Sequence, residues 1–188
     1  MTINFLFDIL APIYDWVIKP RKPEEFASIL ELPLDGWLLD VGGGTGRVSS
    51  GLVKMVSRLV IVDLSEPMLK KAQEKGMKYL VKGKSHILPF KDDEFERVLV
   101  VDALHHFSDQ AGAISELLRV LKPGGRMLIE EPDIRRFPVK MVALMEKIAL
   151  MKSHFHSPGE IQVMIESNGY DAEITSDEEF AAWIIVEK

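Results

Sequence analysis

The stretch Leu38-Leu39-Asp40-Val41-Gly42-Gly43-Gly44-Thr45-Gly46-Arg47 constrains this chain more than any other. An apolar run of strand length feeds directly into glycines, and a helical pattern follows at once. Glycine permits positive φ and lets a ligand approach the backbone closely, so the unit carries both a fold signal and a binding signal. A dinucleotide fingerprint, G-x-G-x-x-G counted from Gly42, needs glycine at 47, where this chain has Arg47. What stands there instead is D-x-G-x-G-x-G, with Asp40, Gly42, Gly44 and Gly46. That turn suits a small zwitterion beside an acid better than a pyrophosphate. On the glycines alone, a tight strand-to-helix turn with no ligand is an equal reading.

The pattern around this unit is short apolar runs alternating with helical stretches, which predicts an α/β fold with a parallel sheet and crossover helices. The expected strands are Trp37–Val41, Leu59–Asp63, Lys78–Val81, Val98–Asp102 and Arg126–Glu130, with a closing pair near Ala172–Thr175 and Phe180–Val186. Between them the periodicity predicts helices over Gly46–Ser57, Glu66–Lys75 and Gln110–Leu121, the last stopped by Lys122-Pro123-Gly124-Gly125. Further helices are expected over Ile3–Ile18, Pro23–Leu32, Val139–Met151 and Pro158–Asn168. At 188 residues the chain is one domain with room for a small cap, and it shows no internal repeat. The second strand ends in Asp63, 21 residues after Gly42. An acid there can accept from both hydroxyls of a ribose and would repel a 2′-phosphate. The ligand implied is a nucleoside with no obligatory phosphate bridge.

Composition removes several functions. With no cysteine there are no disulfides, thiolate metal sites or cysteine nucleophiles. Acids outnumber bases 29 to 23, which argues against a polyanion partner such as nucleic acid. No uncharged apolar run reaches the ~18 residues of a membrane span. Asp8 interrupts the apolar N-terminus and no basic leader precedes it, so no signal peptide is expected and a cytoplasmic location is.

Taken in order, the motifs resemble the class I S-adenosylmethionine-dependent methyltransferases, and most of all the ubiquinone and menaquinone C-methyltransferase branch with its small-molecule relatives. The resemblance rests on Phe7-Asp8-x-x-Ala11-x-x-Tyr14-Asp15, the glycine loop, Val62-Asp63-Leu64-Ser65-x-x-Met68-Leu69, Leu88-Pro89-Phe90, Leu104-His105-His106-Phe107 and Arg119-Val120-Leu121-Lys122-Pro123-Gly124-Gly125-Arg126. It implies a doubly wound, mostly parallel seven-stranded sheet in the order 3-2-1-4-5-7-6, and S-adenosyl-L-methionine as cofactor. The implied layout is a single domain over 1–188, with N-terminal helices or lid at 1–35, a cofactor core at 36–133, a cap at 134–157 and a C-terminal helix and strand pair at 158–188.

Carried over residue by residue, Gly42 and Gly44 would hold the methionine part of the cofactor by their backbone. Asp40 would orient its ammonium and Thr45 would lie beside it. Asp63 would bind the ribose, Leu64 and Met68 would pack on adenine, Ser85 would meet the adenine edge, and Asp102 would sit by the sulfonium. The chain departs from its relatives at Lys84, where they carry an aspartate that accepts from the adenine amino group, a bond lysine cannot make. It also has Glu96 in place of an aspartate, and the Leu-His-His turn differs from that of the quinone enzymes, so no quinone acceptor is inferred.

For the chemistry, His105 and His106 are the expected catalytic residues, histidine being suited by an ordinary pKa near working pH. His154, His156, Tyr14 and Glu131 are further base candidates. His154-x-His156 alone is a weak metal signal, and no metal site is expected. Arg135 and Arg136 are candidates for an anionic substrate but read more simply as surface. Met141, Met145 and Met151 suit helix packing, and Tyr14 with Trp16 a lid. The partner expected is a small-molecule methyl acceptor, with no nucleic acid, no integral membrane segment, and a homodimer left open. A cofactor-binding module without transferase activity is the alternative, and a nicotinamide oxidoreductase is disfavoured by the loop spacing.

Overall fold

In the computed structural model, residues 22–137, 139–140, 153–176 and 181–188 are described. The helices expected over Ile3–Ile18 and Val139–Met151 lie wholly or almost wholly outside them, as do Tyr14, Trp16, Met141, Met145 and Met151. The described chain opens with α1 (Pro23–Ile29), β1 (Leu34–Val41), α2 (Ser49–Leu52) and a 3₁₀ turn over Val53–Met55. It continues through β2 (Val56–Asp63), α3 (Glu66–Glu74), β3 (Tyr79–Lys82), β4 (Phe95–Val101), a second 3₁₀ turn over Leu104–His106 and α4 (Gln110–Val120). The last elements are β5 (Leu121–Pro132), α5 (Pro158–Glu166), β6 (Glu173–Ser176) and β7 (Ala181–Glu187). The seven strands form one sheet in the order β3-β2-β1-β4-β5-β7-β6. All neighbours are parallel except β5–β7 and β6–β7, which are antiparallel. This is the expected sheet.

The central strands read as continuous apolar runs because both faces are covered. One face buries Leu39, Val41, Val98, Val100, Met127 and Ile129 beneath α4 and α5. The other buries Leu38, Leu59, Ile61, Leu99 and Leu128 with Phe26 and Leu30 of the α1 segment. Alternation along one strand therefore sends successive side chains into two cores, and neither core could form without the crossover helices.

The helix expected from Gly46 is the main local departure. Gly46 has φ +69°, which a right-handed helix cannot use, so the turn runs on and α2 begins only at Ser49. At Gly51 a side chain would meet the Pro23 ring at 2.3 Å, so α1 packs directly on the α2 backbone. The chain then enters β2 three residues before the expected Leu59. Strand β5 also starts early. Leu121 pairs with Phe95 and Arg126 with Arg97, so the Lys-Pro-Gly-Gly segment is an irregularity within the strand rather than a loop before it. Among the described residues no helix is long and apolar enough to cross a membrane.

Candidate functional site

Strand order reverses between β1 and β4, and in an open parallel sheet the crevice at the carboxyl ends of the strands at that point is where ligands bind. Here a cavity of about 280 Å³ opens at this place. Its floor is the glycine turn after β1, one wall is the β2–α3 turn, and the other is the turn after β4. Of the cofactor residues expected from sequence, Asp40, Gly42, Gly44, Thr45, Asp63, Leu64, Met68, Ser85 and Asp102 all line it. So does His106, whereas His105 does not.

The glycines are required by geometry at two positions. Gly42 has φ +78°, and a Cβ there would stand 2.6 Å from Ala103 Cβ, so the β1 turn and the post-β4 turn close on each other at that point. Gly44 has φ +53°, but its Cβ would find nothing nearer than the Asp63 carboxylate at 3.9 Å. Its backbone is thus open to the cavity.

Two carboxylates set the electrostatics. Asp63 accepts from the Gly44 N–H at 2.9 Å and the Ser65 N–H at 2.7 Å, one bond to each oxygen. It therefore ties the glycine turn to the start of α3, where Ser65 also caps the helix. Burial raises its pKa, and the backbone N–H groups oppose that rise. Asp40 is only 2% exposed, and its Oδ2 accepts from Ser49 Oγ at 2.6 Å. Its Oδ1 has no hydrogen-bond partner among the described residues. Burial pushes this carboxyl up to about 6, with Asp63 adding to the rise and Ser49 and Arg47 opposing it. Thr45, also buried, accepts from Lys75 Nζ at 3.1 Å.

Asp102 ends the β4 wall with φ +52°, a conformation costly for a residue with a side chain and typical of functional turns. The 3₁₀ turn behind it separates the two histidines. His105 is 3% exposed, its Nδ1 lies 2.6 Å from Glu131 Oε2, and its ring stacks on Phe155. His106 is half-buried, and its Nδ1 lies 3.1 Å from Ser153 Oγ. Burial first, and the neighbouring His105 second, push the His106 pKa down to about 2. Burial thus favours the neutral imidazole at this position.

The other candidates are engaged elsewhere or exposed. Glu131 takes hydrogen bonds from Ala103 and Leu104 N–H as well as from His105. Arg135 is paired with Asp133. The His154 and His156 rings lie 5.2 Å apart, and among the described residues no group of three or more His, Asp or Glu could hold a metal. Sequence reasoning did not single out Ser49, Lys75 or Phe107. Ser49 and Lys75 reach the site from helices, with no local pattern to mark them, and Phe107 ends the turn after β4.

Residues 39–129 match the family model described as a methyltransferase domain. The chain is 33% identical over 147 residues to the demethylmenaquinone methyltransferase of Lactiplantibacillus plantarum, covering 69% of this chain and 62% of that protein. It is 34% identical over 104 residues to the ubiquinone/menaquinone biosynthesis C-methyltransferase UbiE of a Marinomonas species, covering 50% of this chain. That match spans only 41% of the relative's length. In structure the chain is similar to an S-adenosylmethionine-dependent methyltransferase of Thermotoga maritima, described as a possible histamine N-methyltransferase. The TM-score is 0.80 at 21% identity, with 100% of both chains covered. It is similar also to the [4+2]-cyclase SpnF, with a TM-score of 0.77 at 17% identity over 99% of this chain and 95% of that one. Identities this low speak for the fold alone.

Proposed function

We propose that this chain, whose residues 39–129 match a methyltransferase domain, methylates a small-molecule acceptor at the β1–β4 crevice with S-adenosylmethionine as the methyl donor. The residues present fit the cofactor. The Asp63 carboxylate lines the cavity while backbone N–H groups hold it in place, and its remaining lone pairs are acceptors for the ribose hydroxyls. The Gly44 backbone is open to the cavity where the amino-acid end would lie, and the unpartnered Asp40 oxygen is matched to an ammonium. Leu64 and Met68 offer an apolar face to adenine, beside the Ser85 backbone. Lys84 is exposed at that edge and can donate but not accept, so the adenine amino group must be met by something other than this side chain.

S-adenosylmethionine supplies an electrophilic methyl on a sulfonium with a good leaving group. The protein's task is then orientation and exclusion of water, which can supply on the order of ~7–11 kcal/mol. Asp102 and His106 stand on the cavity wall where the acceptor would enter. A neutral His106 offers the acceptor a hydrogen bond. Burial favours its neutral form, which keeps a ring nitrogen able to accept a hydrogen bond or a proton. The observation that carries the proposal is the joining of Asp63 to Gly44, which sets the diol-binding acid and the open glycine backbone on one cavity. Incubation with methyl-labelled S-adenosylmethionine and a metabolite extract tests it. Label should appear in a small-molecule fraction, and cofactor binding with no transfer to any fraction would instead make the chain a binding module.

A further inference from the structure

Two consecutive histidines follow β4, and the structure gives them different work. The difference traces to Glu131, a carboxylate only 4% exposed near the end of β5. Its Oε1 accepts from the Ala103 N–H at 2.9 Å and the Leu104 N–H at 2.7 Å. Its Oε2 takes the His105 ring Nδ1 at 2.6 Å, with the His105 N–H at 3.4 Å. One side chain thus supplies the hydrogen-bond partners that a helix start needs, and orients the imidazole as well.

His105 passes that order on to a distant stretch of chain. Its ring lies against Phe155 with centroids 4.3 Å apart and planes at 16°, and its carbonyl accepts from the His154 N–H at 2.8 Å. Gln110 Nε2 holds the His154 carbonyl at 2.7 Å from the start of α4. The segment fastened in this way carries Ser153, whose hydroxyl meets His106 Nδ1 at 3.1 Å. The path runs from Glu131 through His105 and Phe155 to Ser153, and ends on the one histidine of the pair that faces the cavity.

We infer that Glu131 and His105 are positioning residues, a buried latch that clamps residues 153–157 onto the turn after β4 and so sets the orientation of His106 at the acceptor side of the cavity. Neither touches the reacting atoms. The bearing of the latch on methyl transfer rests on the methyltransferase reading, but the latch itself does not. In Glu131→Gln the new side-chain carbonyl can still accept from the turn's N–H groups. The amide nitrogen beside it can only donate, so it meets the His105 ring only if the imidazole moves its proton to Nε2, and the bond to a charged acceptor is lost either way.

The test uses the full chain with Glu131→Gln and, separately, Phe155→Ala, which loosens the clamped segment without touching the turn. Amide hydrogen exchange, nitrogen-15 spectra of the imidazoles, and calorimetry with S-adenosylmethionine are measured for each. In Glu131→Gln, exchange at 153–157 and at 105 should speed at least tenfold, while 103 and 104 keep the acceptor that the amide carbonyl supplies. The His106 resonances should shift, while cofactor affinity moves less than threefold. In Phe155→Ala, 153–157 should speed and His106 should shift, with 103–105 keeping wild-type protection. Unchanged exchange at 153–157 in Glu131→Gln, or an unmoved His106 in Phe155→Ala, overturns the latch. If Glu131→Gln does not fold, the Phe155→Ala result decides alone. A wild-type protein that fails to bind S-adenosylmethionine would remove the methyltransferase reading and leave the latch to be judged by exchange and spectra.

Discussion

Replacing Asp40 by asparagine should strengthen the empty protein and weaken its hold on the cofactor. Asp40 is buried, and its carboxyl is raised from 3.8 to about 6, chiefly because burial disfavours the charge. A group whose folded pKa lies above its unfolded value holds its proton longer in the folded state. Stability therefore falls as pH rises from about 4 through about 6, and the full penalty persists above that. At 1.36 kcal/mol per tenfold, the interval from 3.8 to about 6 is worth about 3 kcal/mol at most. Asparagine removes the charge, keeps an acceptor for the Ser49 hydroxyl, and leaves an unpartnered polar atom where the Asp40 Oδ1 stood. The orphan penalty is thus present in both proteins and largely cancels, so a gain of about 1–3 kcal/mol is expected at neutral pH.

The assay is urea unfolding of both proteins without ligand between pH 4 and pH 8, read as the difference between the two stabilities. That difference should be small at pH 4, grow through pH 6 and then level off. Taking the difference isolates Asp40 from the chain's other carboxylates. In calorimetry the same variant should bind S-adenosylmethionine at least tenfold more weakly, because the anion proposed to meet the ammonium is gone. A flat difference curve, or an Asp40→Asn variant less stable than wild type at neutral pH, would show that burial does not govern this group.

Asp63→Asn should also lose cofactor, by ten- to hundredfold on the scale of about 1.5–3 kcal/mol for hydrogen bonds to a charged group. Either orientation of the new amide sets its NH₂ against the Gly44 or the Ser65 N–H, and wild-type affinity in calorimetry would place the ribose elsewhere. Alanine at the two glycines should separate fold from binding. Gly42→Ala drives a methyl to 2.6 Å from Ala103 and should cost about 2–4 kcal/mol in unfolding experiments, combining overpacking with a left-handed backbone. Gly44→Ala meets only the Asp63 carboxylate at 3.9 Å and should cost about 1 kcal/mol for its left-handed backbone, while a methyl on the cavity lining beside Asp63 should lower cofactor affinity at least tenfold. Arg119 ties Glu116 and Asp92 to the carbonyls of Leu88 and Phe90. Arg119→Ala should lower stability by about 1–3 kcal/mol and speed exchange at 88–92, and unaltered exchange there would contradict the clamp.

The chain's own order of residues determined the strand–turn–helix units, because apolar runs, glycines and caps act over a few neighbours. Asp40, Gly42, Gly44 and Asp63 were legible for that reason, each lying at a strand end that could be located by pattern. The start of α2 was not legible, because the sign of φ at Gly46 depends on how the turn packs against Ile61 and Met77. Nor could sequence tell His105 from His106. Adjacent residues in a 3₁₀ turn point about 120° apart, and which of them faces the cavity depends on where β5 places Glu131 and on what residues 153–157 bring against the turn. Those partners lie 26 and about 50 residues along the chain, so only the assembled sheet decides which imidazole is locked inside and which lines the cavity.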